Sequence, residues 1–129
     1  MSIYVLPPAV RQATIWTIRD YYRLKLSYEE IVEASPAPPD GMPGATKISD
    51  VAASKAIRAA EIGRKIRAIE ESWDGAPGVK GSRIPEEYRR GIWEHIQHRD
   101  PFPRDAGLDT YKRWHQRYIF SVATRLRWW

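Results

Sequence analysis

Six residues near the C-terminus have the types and spacing for nucleic-acid chemistry: Arg104, Asp109, Thr110, Lys112, Arg113 and Arg117. Arg and Lys neutralise phosphates or reach guanine edges, and Thr contacts a thymine methyl or a phosphate. Asp109 has two roles open to it, accepting from cytosine or capping the helix that starts beside it. Residues 104–129 hold six basic and two acidic side chains, against eleven and ten over 1–82 and four of each over 83–103. Most of the net charge of +5 therefore sits in the last 26 residues, an electrostatic footprint suited to a polyanion. The plainer reading of the same charge is a solvated helix face with no partner.

Other chemistries find weaker support. Cysteine is absent, which excludes disulfides, thiol catalysis and zinc sites built on thiolates, and fits a reducing compartment. Glu94-His95-Ile96-Gln97-His98 differs from the zinc-protease pattern. Its glutamate precedes the first histidine, and the second follows at i+3 rather than i+4. His95, His98 and His115 therefore read as surface histidines. The glycines of the 75–81 stretch lie among prolines and lack the Lys-Ser/Thr that completes a phosphate loop. The pairs Glu29-Glu30, Glu70-Glu71 and Glu86-Glu87 read as helix-turn or solvated charges. The expectation is a non-enzymatic protein with no catalytic residue, metal or cofactor.

These residues need elements to position them, and the spacing predicts an all-α chain. Pro7-Pro8 suits a helix start, and Ile15, Ile18, Tyr22 and Leu26 recur on one face of a segment from about Pro8 to Ala34. Ser27-Tyr28-Glu29-Glu30 fits a capping box, so a break and restart are expected there. Ser35 to about Ile48, with four prolines and two glycines, reads as a linker. Its length raises a mobile first helix, or one packed on a second copy in a homo-oligomer.

Ser49 is the expected N-cap of a helix reaching about Trp73, with Ala52, Ala56, Ala59, Ile62, Ile66 and Ile69 as its apolar stripe. After a Gly/Pro loop, Pro85 opens a helix to about His98, which Asp100-Pro101-Phe102-Pro103 ends. The last helix is expected from Leu108 to Leu126. Tyr111, Trp114, Tyr118, Val122 and Leu126 share one face, and Lys112, Arg113, Gln116 and Arg117 project elsewhere. The two closing helices and their short turn form a shortened helix-turn-helix, in which the second helix enters the major groove. An ordinary helical hairpin is the competing reading. Trp128 and Trp129 are expected to cover the end of the core or a subunit contact.

The chain of 129 residues, 43% apolar, suits a small globular domain. Two parts are expected: residues 1–47 as N-terminal helix and linker, and 48–129 as helical core. No apolar run approaches the roughly 20 residues that span a bilayer. The N-terminus lacks a signal-peptide pattern, so a cytoplasmic protein without a membrane partner is expected.

Three stretches together resemble a known family. They are Ser49-Asp50 with the helix closing on Ile66-Arg67-Ala68-Ile69-Glu70, then Ile84-Pro85-Glu86-Glu87-Tyr88-Arg89-Arg90-Gly91-Ile92-Trp93, and Tyr111-Lys112-Arg113-Trp114-His115-Gln116-Arg117-Tyr118-Ile119 with Val122, Ala123 and Leu126. Residues 48–129 are similar to small phage and prophage transcription regulators of the RinA/ArpU type, whose C-terminal half is similar to region four of bacterial sigma factors. The resemblance implies an all-helical regulator of late phage genes that binds double-stranded promoter DNA, beside RNA polymerase. One departure stands out. Pro103-Arg104-Asp105-Ala106-Gly107 leaves room for about one helical turn where the family has about two. From other classes, a helical protein–protein module or a packaging factor like a terminase small subunit fits the same helices.

Overall fold

The computed structural model describes residues 3–33 and 45–129, and among these every regular element is helical. In chain order they are α1 (Pro8–Arg19), α2 (Tyr21–Glu33), α3 (Ala45–Glu71), a 3-10 turn (Ser72–Asp74), α4 (Glu86–His98) and α5 (Leu108–Arg125). The all-α expectation holds. The linker expected at 35–48 lies outside the described residues up to residue 44.

α1 opens at the prolines as expected, with Pro7 in extended geometry as its N-cap. The break into α2 falls at Asp20, seven residues earlier than the expected restart at Ser27. Asp20 closes α1 through its amide, which donates to the Trp16 and Thr17 carbonyls at 3.1 Å. Its carbonyl then accepts from Leu24 at 2.9 Å, starting the next helix. Its carboxylate accepts from Arg23 Nε at 2.7 Å, and this bond holds the carboxyl below the usual carboxylate range. The break also resets the helical phase. Ile15 and Ile18 are buried, but Tyr22 and Leu26 are exposed, and Leu24 takes the buried position on α2.

α1 belongs to the core rather than to a detached N-terminal part. It packs on both α4 and α5. Two side chains fasten it, each serving a carbonyl near the other helix's C-terminus. Arg19 Nε donates to the Ile96 carbonyl at 2.9 Å, and Gln97 Nε2 donates to the Ile18 carbonyl at 2.6 Å. Carbonyls at helix ends lack intrahelical partners, so such bonds satisfy groups that would otherwise need water.

α3 starts at Ala45, directly after the last glycine of the 35–48 stretch, rather than at Ser49. Among its described side chains the buried stripe lies in the second half: Ile66, Ala68 and Ile69 are buried, while Ala52 and Ala56 are exposed. Tyr118, wholly buried on α5, donates its hydroxyl to the Ile69 carbonyl at 2.8 Å and stacks on Trp73 at 3.8 Å between ring centroids. Burial pushes this phenol well above its ordinary pKa. Tyr118→Phe strands the Ile69 carbonyl in the core. A loss of about 1 kcal/mol in urea unfolding is expected, and unchanged stability would show the bond to be inert.

The 75–84 loop is a latch. Gly75 adopts φ 101°, and a Cβ there would meet Ser82 Oγ at 2.5 Å, so only glycine fits. Ser82 Oγ accepts from the Ala76 amide and donates to the Val79 carbonyl, closing the loop on itself. Arg125 joins it to α5, donating to the Gly75 carbonyl at 2.9 Å and to Glu71 at 3.1 Å.

α5 is the central helix. Every residue from Tyr118 to Ala123 is buried, enclosed by α1, α3, α4 and the 3-10 turn. Such all-round burial needs small or apolar side chains on every face, which Ser121 and Ala123 supply between the larger ones. Trp128 packs on the core and Trp129 is exposed. None of the described helices is long and apolar enough to cross a membrane.

Candidate nucleic-acid interface

The first half of α5 keeps Tyr111 in the core and turns a basic face outward. Its position is set by the junction with α4. α4 ends at His98, and Arg99 turns the chain in the left-handed region at φ 58°, donating its amide to the His95 carbonyl at 2.9 Å. Residues 104–106 form a turn and no helix, so α4 is followed directly by α5. His95 Nδ1 meets the Asp100 carbonyl at 2.7 Å. Phe102 stacks on His95 at 4.0 Å and on Tyr111 at 5.4 Å between ring centroids.

Pro103 then seats against Gly91 of α4, where even a methyl group would overlap it. Tyr111 is wholly buried beneath and donates its hydroxyl to Asp105 Oδ1 at 2.6 Å. Burial, reinforced by that carboxylate, pushes the phenol up to about 12, so the bond persists across the physiological range. The loop is thus riveted by an aromatic stack, a proline against a glycine, and one phenol–carboxylate bond.

This frame places the six sequence-predicted residues unequally. Arg104 on the turn and Lys112 and Arg113 on α5 are exposed, and no ion pair joins them to a carboxylate among the described residues. Asp109 is exposed in the first turn of α5, and Thr110 is half-buried beside it. The N-cap is Gly107, without a side-chain cap bond, so Asp109 acts on the helix dipole only through its charge.

Arg117 stands apart from the others. Its guanidinium carbon lies 4.8 Å from the ring centroids of both Tyr4 and Trp114, and Nη1 donates to the Gly81 carbonyl at 3.0 Å. Its Nε is buried without a partner. This cation clamps the N-terminal segment and the latch loop to α5, a role that its spacing did not announce. Arg125, likewise counted in the basic tail, is occupied by the latch.

The histidines also differ from their expected surface setting. His98 is exposed, 3.5 Å from Glu94, but His95 and His115 are half-buried with their rings in edge contact at 5.2 Å. Burial, with the positive field of His95, Arg11 and Arg19, pushes His115 down to about 4. Among the described residues no three His, Cys, Asp or Glu side chains converge as metal ligands would.

Sequence spacing also missed Arg11. It sits on α1, nearly a hundred residues from Arg104, yet borders the same cleft as Arg104 and Lys112. Only the packing of α1 on α5 brings them together, and no local pattern carries that information. No family model, curated protein or solved structure matches the chain. The site is therefore read from its own geometry.

Proposed function

We propose that the chain is a non-enzymatic DNA-binding protein, a transcription regulator of the phage type that its sequence resembles. The observation that carries this reading is the exposure of Arg104, Lys112 and Arg113 on a rigid junction, free of the ion pairs that would neutralise them. Cations held without acidic partners keep their full attraction for a polyanion. Thr110 and Asp109 lie in the first turn of α5, and would meet base edges if α5 enters the major groove as a recognition helix does. With a turn in place of the family's longer helix, backbone contact outweighs sequence reading, and RNA polymerase would add specificity at a promoter.

Fluorescence anisotropy of a labelled duplex at several salt concentrations tests this. Three phosphate contacts predict a log–log slope of about −3, and Lys112→Ala should reduce it by about 1. Absence of binding at low salt would sink the proposal.

An assembly role is the second reading, favoured by the exposed apolar side chains Leu26 and Val32 on α2 and Val51 and Ile57 on α3. A packaging ring or a homo-oligomer would bury them, and sedimentation velocity separates both from a monomer.

A further inference from the structure

A cleft of about 900 Å3 opens where the N-terminal segment, the 99–107 loop and the start of α5 meet. The cleft between α2 and α4 has half that volume, about 450 Å3. Small-molecule sites span roughly 300 to 1,000 Å3, mostly apolar with a few convergent polar groups. This one matches that description. Leu6, Phe102 and Ile119 supply apolar wall, and His95, His115 and Gln116 add hydrogen-bonding edges.

The charge is one-sided. Arg11, Arg104 and Lys112 line the cleft, and among the described residues no Asp or Glu does. With three cations lining one partly apolar space, a bound anion is attracted by all of them. His115 does not add to that charge, being neutral above a pH of about 4. His95 Nδ1 donates to the Asp100 carbonyl.

A bare phosphate satisfies the cations but leaves most of the volume and the apolar wall unfilled. A purely apolar molecule does the reverse. We propose that this cleft binds a small heteroaromatic anion of the nucleoside-monophosphate class. Its phosphate would sit on Arg11, Arg104 and Lys112, and its ring against Leu6, Phe102 and Ile119. The site shares Arg104 and Lys112 with the duplex reading and adds Arg11 and the apolar wall, which have no part in it.

Titration calorimetry of the full chain with AMP, GMP, CMP and UMP tests the proposal, with adenosine and inorganic phosphate as controls. At least one nucleotide should saturate the chain and bind about tenfold or more tighter than either control. Arg11→Ala, on the exposed side of α1, should weaken that binding by about tenfold or more, with circular dichroism unchanged. Lys112→Ala gives a second variant should the first unfold. Arg113 does not line the cleft, so Arg113→Ala should leave nucleotide affinity unchanged. Nucleotide binding without duplex binding supports the cleft and removes the DNA reading. Failure of all four nucleotides to saturate overturns the cleft proposal, whatever the duplex does. So does phosphate binding as tightly as they do, or affinity indifferent to both Arg11 and Lys112.

Discussion

Replacing Gly91 by alanine is expected to destabilise the protein, although the same change inside most helices stabilises them. The intrinsic preference favours alanine by roughly 0.5–1 kcal/mol. At Gly91 a Cβ would stand 2.7 and 2.8 Å from Pro103 Cδ and Cγ and 2.9 Å from Tyr111 Cε1. Neither neighbour yields easily. Pro103 is a rigid ring in a loop pinned at both ends, and Tyr111 is buried and bonded to Asp105. Overpacking of this kind costs about 1–3 kcal/mol. The net expectation is a loss of about 1–2 kcal/mol, or several degrees in Tm. Gly63→Ala on α3 is the control. The atoms nearest its Cβ would be Arg67 and Tyr28 side-chain atoms at 3.4 Å, ordinary contact, so it should gain up to about 1 kcal/mol. Opposite signs in thermal unfolding support the account, and equal signs overturn it. Because Gly91 seats the loop that carries Arg104, Gly91→Ala should also weaken duplex binding, whereas Gly63→Ala should not.

Four helix locations were legible because apolar spacing, prolines and glycines mark them directly. Pro8 opens α1 and Leu108 opens α5 as read from sequence, and α4 differs from its expected span only at Pro85. What spacing could not give was phase and reach. Ser27-Tyr28-Glu29-Glu30 has the residue types of a capping box, but Asp20, with Arg23 on its carboxylate, ends α1 first. A cap is a competition between local hydrogen bonds, and the upstream candidate won. Likewise the small-residue stripe on α3 predicted burial along the helix, yet among its described side chains the fully buried ones lie in the second half. Period alone marks which face can be buried, not where a neighbour stops.

The candidate site shows the same division. Lys112 and Arg113 were legible because α5 is amphipathic and their side of it stays in water. Arg117 lies one turn further on and was grouped with them, but the helix is already entering the core there. Its charge is offset by Tyr4, Trp114 and the Gly81 carbonyl, groups from three separate parts of the chain. Arg11 shows the converse case, since nothing within α1 marks it as a neighbour of Lys112. Long-range packing decides which cations remain available, and composition cannot report it. This matters for function, because the count of free cations sets the salt slope of any nucleic-acid complex.

Stability should fall as the pH drops from about 6.5 toward 4, and His115 should account for much of it. Its imidazole is held neutral in the fold, with its pKa pushed from 6.5 to about 4, chiefly by burial and then by the positive charges of His95, Arg11 and Arg19. In the unfolded chain the same ring protonates at its ordinary pKa. The unfolded state therefore takes up a proton first as pH falls, and folding weakens through that window. The shift corresponds to roughly 2 kcal/mol lost by pH 5 and roughly 3 kcal/mol once the folded pKa is passed. Paired carboxylates such as Asp20, held below its ordinary value, lose their contribution only at lower pH. The range from 6.5 to 5 therefore isolates histidine. Urea unfolding across that range should show the loss in the native chain and a shallower one in His115→Gln, which cannot take up the proton. His98 is common to both proteins, remote from the substitution, and cancels in the difference. A variant with an undiminished pH slope would place the proton uptake elsewhere and remove His115 as its origin.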